Sequence, residues 1–286
     1  MGDRAFYRHY LLLAVPMILQ NAITNLVSFL DNIMVGQLGT EQMSGVAIVN
    51  QLIFVYNLAI FGAVSAASIF GAQYFGNGDH RGHMHSFRFK LYATLLVSGL
   101  TMLLLLTKGS DLISLYLTDT AGNGATDVAL QYGKQYLVIM LVGLVPFAVN
   151  QAYATNIKET GQTLVPMLAS FVAVGTNAVL DYLLIFGVGP FPELGVTGAA
   201  LATVIARYVE AVIVVFWAHR NREKNRYLEG AYRGFGIPVS ELKTILIKGL
   251  PLMFNEVLWA AGMTTVTQCY SCLLYTSDAA DEGLGV

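Results

Sequence analysis

The sequence predicts an all-α polytopic membrane protein, and three observations carry that expectation. Of 286 residues, 55% are hydrophobic and only 12% charged, with a mean hydropathy of +0.59; a soluble domain holds nearer a quarter charged residues. The apolar residues gather in windows long enough to cross about 30 Å of hydrocarbon as helix. Lysine and arginine concentrate in alternate connections between those windows, as expected of a chain that crosses repeatedly. The net charge of −2 says little, because the charges are segregated along the chain, and it calls for no nucleic-acid partner.

Seven spans are expected, with boundaries good to a few residues. Span one, about 11–36, follows a polar, basic segment and runs too long for the apolar region of a signal peptide. Span two, about 45–73, is the clearest, since no charge interrupts the chain between Glu41 and Asp79. Span three, about 90–107, is the shortest and is bounded by Lys90 and Lys108. Spans four, five and six cover about 130–154, 164–188 and 195–218, and span seven about 245–270.

Positive loops stay cytoplasmic. Arg4 and Arg8 precede span one; Arg81, Arg88 and Lys90 follow span two; Lys158 follows span four; seven lysines and arginines from Arg220 to Lys248 follow span six. All lie on one side if the amino terminus is cytoplasmic, with the protein in the plasma (inner) membrane. The opposite loops hold only Lys108 and Lys134.

Two aspartates interrupt this pattern. Asp31 lies about six residues before the end of span one and Asp181 about seven before the end of span five, so each sits roughly 10 Å inside the same face. An ionisable side chain in hydrocarbon costs several kcal/mol and marks an ion or substrate path by default. For Asp31 the other reading is a residue reaching toward headgroups, but aspartate is too short to do so well. Asn177 stands one turn before Asp181 and serves equally as a helix-to-helix hydrogen bond. Tyr136 and Thr203 reach the same depth from oppositely directed spans. Tyr136 also reads as an interfacial aromatic, and Thr203 follows Gly198, Ala199, Ala200 and Ala202, a face suited to close packing.

Other polar groups read as structural. Arg207 and Glu210, three apart in span six, are expected to neutralise one another. His80, His83 and His85 fall in what reads as a solvated basic loop, without a metal scaffold. The Cys269-x-x-Cys272 spacing lacks a thioredoxin-like context and reads as chance. There is no H-E-x-x-H, no G-x-S-x-G and no metal cluster, so an enzyme is not expected.

Span seven repeats the opening of span one: Ala14-Val15-Pro16-Met17-Ile18-Leu19-Gln20-Asn21 aligns with Gly249-Leu250-Pro251-Leu252-Met253-Phe254-Asn255-Glu256. Six spans separate the copies and restore the same orientation, as at the start of a second, parallel repeat. The expected organisation is a six-helix lobe over 1–218, a basic inter-lobe linker over 219–244 with an amphipathic stretch near Pro238 to Leu246, the seventh helix over 245–270, and a non-native tail over 271–286. The tail CLLYTSDAADE resembles translated sequencing adapter, and the chain is expected to be truncated.

Five ordered segments resemble the multidrug and toxic compound extrusion (MATE) family of secondary transporters. They are Leu30 to Gly39, Gly71 to Asp79, Lys158 to Thr163, Asn177 to Gly187 and Leu194 to Thr203. The resemblance implies the six-helix amino-terminal lobe of a twelve-helix MATE-type transporter plus the seventh helix, with the carboxy-terminal lobe missing. It implies export of small organic cations, xenobiotics among them, in exchange for protons or sodium, with no cofactor beyond the coupling ion. The implied cation site is Asp31, Asn177, Asp181 and Thr203, with Tyr136 a looser match, and Glu256 resembles a carboxylate of the second lobe.

The chemistry suits either ion. Two adjacent carboxylates in a low-dielectric cavity resist ionising together, so they can take a proton from one side and release it on the other. With the Asn177 carbonyl and Thr203 hydroxyl they also offer the oxygens that sodium prefers. Pro16 offers a bend through which neutralising Asp31 could move span one. A lipid-linked oligosaccharide flippase of related architecture would favour cationic cavity residues, and a third reading is a fragment with no activity of its own.

Overall fold

The computed structural model describes residues 4–116, 123–233, 236–239 and 241–249, with scattered positions between 251 and 266. Glu256, Cys269, Cys272 and the tail lie outside the described residues. Up to Arg220 the described residues form α1 Arg4–Gly36, α2 Thr40–Gly76, α3 His80–Tyr116, α4 Asn123–Val142, α5 Leu144–Glu159, α6 Leu164–Phe186 and α7 Val196–Arg220. A 3-10 helix, Arg226–Leu228, follows. Among the described residues, α2, α3, α6 and α7 are each long and apolar enough to cross a membrane, and the bent α4–α5 pair makes a fifth.

The span expected to be continuous over 130–154 is broken at Gly143, where Asp127–Val142 and Leu144–Glu159 meet at 44°. Pro146 is the physical cause. It has no N–H to give to the Val142 carbonyl four residues back, and its ring crowds that carbonyl. The freed Val142 carbonyl accepts the Tyr208 hydroxyl of α7 at 3.5 Å, and Arg207 Nη1 of α7 reaches Gly143 O at 3.4 Å, which also accepts the Phe147 N–H at 3.3 Å.

The shortest expected span belongs to one of the two longest helices, and the expected solvated loop before it is largely absent. Gly78 turns the chain at φ 71°, and Asp79 caps α3 by accepting the N–H groups of Arg81 at 3.1 Å and Gly82 at 3.0 Å. This starts α3 at His80 and draws His83, His85, Arg88 and Lys90 into the packed interior.

Without a hydrophobic drive between helices in lipid, close approach relies on small residues. Gly198 of α7 packs on the backbone of α6, where an added Cβ would lie 2.6 Å from Leu184 O. Large apolar side chains such as Leu96, Leu100, Leu103 and Leu106 face outward along α3, as a helix against hydrocarbon requires. One core surrounds Tyr56, Tyr136, Met140 and Leu144. A second, around Phe87, Tyr153, Ile157 and Tyr227, joins α3 and α5 to the linker.

That linker is folded against the helices. Arg88 donates to the carbonyls of Ala231 at 2.8 Å, Gly236 at 2.9 Å and Gly230 at 2.7 Å. His85 Nδ1 pairs with Glu241 at 2.7 Å. The chain is helical again over 241–249, where Ile245 is buried and Lys248 lies 6.0 Å from the Phe70 ring.

Candidate functional site

Asp31 and Asp181 each fall five residues before the last residue of their helices, Gly36 and Phe186. α1 and α6 pack together, so the equal depth becomes contact: the two carboxyl groups meet within hydrogen-bonding reach. Both partners are acceptors when ionised, so neither can serve the other without a proton. Asp31 Oδ1 and both oxygens of Asp181 are buried and accept no hydrogen bond among the described residues. Asn177, one turn earlier on α6, lies beside Asp181, yet its Nδ2 completes no bond. An unsatisfied buried polar group costs about 1–3 kcal/mol, and more when charged. One shared proton would turn two facing acceptors into a donor and an acceptor.

Asp31 opens onto a cavity of about 430 Å³, while Asp181 and Asn177 stand behind it at 1% and 5% exposure. Thr203 and Tyr136 both line the cavity and touch each other. Tyr136 is buried in the helix bundle, which removes the interfacial alternative, and donates to Asn50 Oδ1 at 3.3 Å. All five described candidates from the sequence therefore converge at the end of the bundle where α1 and α6 finish, here called the Asp31 end.

The cavity wall also contains groups that hydropathy conceals. Asn50, Gln51 and Asn57 of α2 line it. The signal was available: Asn50 and Asn57 are seven apart, two turns on one face of an apolar span, and amides add no charge to break the window. Arg207 lines it too, its guanidinium 5.2 Å from the Phe147 ring centroid.

That last placement leaves the expected Arg207–Glu210 pair without a direct ion pair among the described residues, although the Glu210 charge still reaches the guanidinium. Three residues separate them, but the helix turns Glu210 into a second cavity of about 680 Å³. There Glu210 accepts the Ser170 hydroxyl at 2.5 Å, and Ser170 in turn accepts Gln20 Nε2 at 2.7 Å. Phe147 lines this second cavity while Arg207 lies over its ring, so the two form the partition between the chambers.

At the opposite end, where α2 and α5 finish, buried charges are paired. Lys90, fully buried, donates to Asn156 Oδ1 at 2.5 Å and to Glu159, whose other oxygen is 3.3 Å from His83 Nε2. Gly71 of α2 makes the room, since a Cβ there would collide with the Glu159 carboxylate.

The Asp31 end can hold a proton between two carboxyls, or present carboxylate and hydroxyl oxygens to a hard cation. No group of three or more His, Cys, Asp or Glu side chains is placed to hold a metal among the described residues.

Comparison with known proteins covers the same helices. The family model MatE matches residues 16–183. A probable multidrug resistance protein NorM of Thermotoga maritima is 27% identical over 88% of this chain and 52% of its own length. A probable NorM of Rhizobium meliloti is 30% identical over 77% of this chain and 46% of its own. The outward-facing structure of a multidrug resistance MATE family transporter of the MOP superfamily superposes with TM-score 0.76 at 23% identity, over 90% of this chain and 54% of that one. The chain spans about half the length of the curated relatives it matches.

Proposed function

The chain belongs to the MatE family of multi-pass membrane proteins, and from that premise we propose that it forms the ion-binding lobe of an antiporter exporting organic cations in exchange for protons or sodium. In this reading the lobe works together with the further length that its relatives span, about as much again as the part matched here. The observation that carries the reading is the contact between Asp31 and Asp181, three of whose carboxyl oxygens accept no hydrogen bond, beside a cavity of about 430 Å³.

Asp31, Asp181, Asn177, Thr203 and Tyr136 hold the coupling ion in this reading. Ion and substrate favour different conformations, which is what coupling requires. An ion bound between the carboxylates satisfies their free oxygens and cancels the charge that would hold an organic cation in the cavity. Loss of the ion restores that charge. Glu256 would supply a carboxylate in the second lobe. The positive-inside pattern supports an inner-membrane protein with a cytoplasmic amino terminus, which turns the Asp31 end outward.

The test is dye efflux from vesicles containing the transporter, under imposed proton or sodium gradients. Efflux should follow one gradient and disappear with Asp31→Asn. Undiminished, gradient-dependent export by that variant would sink the reading.

A further inference from the structure

We propose that Arg207 is the anion-binding end of the Asp31 cavity, and that the cavity takes zwitterionic organic molecules, a carboxylate docking on Arg207 while a cationic group faces Asp31. The inference rests on the preceding reading of this cavity as the substrate site.

Arg207 projects from the middle of α7, an apolar helix in which a charge is expensive unless it has work or a partner. Its partners are few. One nitrogen reaches the Gly143 carbonyl at 3.4 Å, a long bond, and the guanidinium lies over Phe147 at 5.2 Å. No carboxylate forms an ion pair with it among the described residues. Glu210, the acid nearest in sequence, accepts Ser170 in the other chamber; its charge reaches Arg207 across the partition but makes no hydrogen bond or ion pair with it among the described residues. The nitrogens of Arg207 are not among the buried atoms left without a bond, so the remaining N–H groups open onto the cavity they line.

The same cavity is lined by Asp31, whose buried Oδ1 accepts no hydrogen bond among the described residues. Tyr136 stands within electrostatic range of both Arg207 and the aspartates. The chamber therefore has a positive and a negative side, with amides of Asn50, Gln51 and Asn57 between. Its volume of about 430 Å³ falls within the range of small-molecule sites, about 300–1,000 Å³. A planar guanidinium with a free fork matches a carboxylate through two parallel hydrogen bonds, which a point charge does not. A purely cationic occupant would satisfy Asp31 and be repelled by Arg207. A zwitterion satisfies both.

The experiment uses the full chain in lipid nanodiscs and two probes, a rhodamine bearing a free carboxylate and the methyl ester of the same dye, with binding read by fluorescence anisotropy. Arg207→Gln should weaken the acid about tenfold or more, the scale of a charge-assisted bidentate contact, and should tighten the ester because a repelling charge has gone. Arg207→Lys should recover part of the acid's affinity. A structural role for Arg207 would move both probes in the same direction, and that result, or no change in acid binding, overturns the proposal. Should Arg207→Gln fail to fold, the acid-to-ester ratio in Arg207→Lys decides: a ratio equal to wild type overturns it. The antiporter reading fails separately, if the ester binds wild type and Asp31→Asn equally. If neither probe binds wild type, both fall.

Discussion

Asp181 and Glu159 carry buried side-chain carboxylates at opposite ends of one helical lobe, Asp181 1% exposed as a residue and the Glu159 side chain 5%. Glu159 is met by a lysine and a histidine, with Gly71 clearing space for it. Asp181 meets another carboxylate, with the Asn177 amide beside it and no completed hydrogen bond among the described residues. The same side-chain chemistry is thus satisfied from within the protein at one end and, in the proposed reading, by a bound ion at the other. A lobe built this way has a fixed end and a responsive end, and substitutions at the two should fail differently.

The largest stability effect is expected from Lys90→Ala, which strands Glu159 as a buried charge and should destabilise by about 3–5 kcal/mol. Thermal unfolding in detergent measures it. A loss below about 1 kcal/mol would mean that the Glu159 end is no better paired than the other, and the contrast would collapse. Gly71→Ala comes next, at about 1–3 kcal/mol, because its methyl must displace the Glu159 carboxylate. Combining it with Lys90→Ala should give less than the sum, since both act through one side chain.

Tyr136→Phe removes a 3.3 Å hydrogen bond to Asn50 and should weaken stability by about 0.5–1.5 kcal/mol. Its effect on ion coupling should be partial, readable as a shallower dependence of efflux on the gradient. The smallest stability change is expected from Asp181→Asn. Replacing an unserved acceptor by a group that can donate to Asp31 should leave the melting temperature unchanged or raised, while coupled efflux is lost. A large destabilisation there would show that Asp181 is a structural group like Glu159.

The sequence revealed the Asp31 end better than the Glu159 end, for a physical reason. A carboxylate inside an apolar run stands out, and helix ends locate its depth, so Asp31 and Asp181 could be paired across 150 residues of chain. His83, Arg88 and Lys90 were hidden because polar residues near a span boundary read as solvated, although the Gly78-Asp79 turn and cap that starts α3 at His80 was visible. The break at Gly143 was signalled by Pro146 within an apparently continuous span. Arg207 and Glu210 had the spacing of an ion pair, but the partition formed with Phe147 depends on which way α7 is rotated. Packing against α4, α5 and α6 fixes that rotation.

The grip of Arg88 on three linker carbonyls has a mechanical consequence. A slack connection absorbs displacement, whereas one pinned at Gly230, Ala231 and Gly236 and packed again at Ile245 behaves as a short strut. A pull applied beyond residue 249 is delivered to α3 at Arg88, two residues from the Lys90 that holds Glu159. Load introduced through the linker therefore enters the bundle beside its paired buried charges.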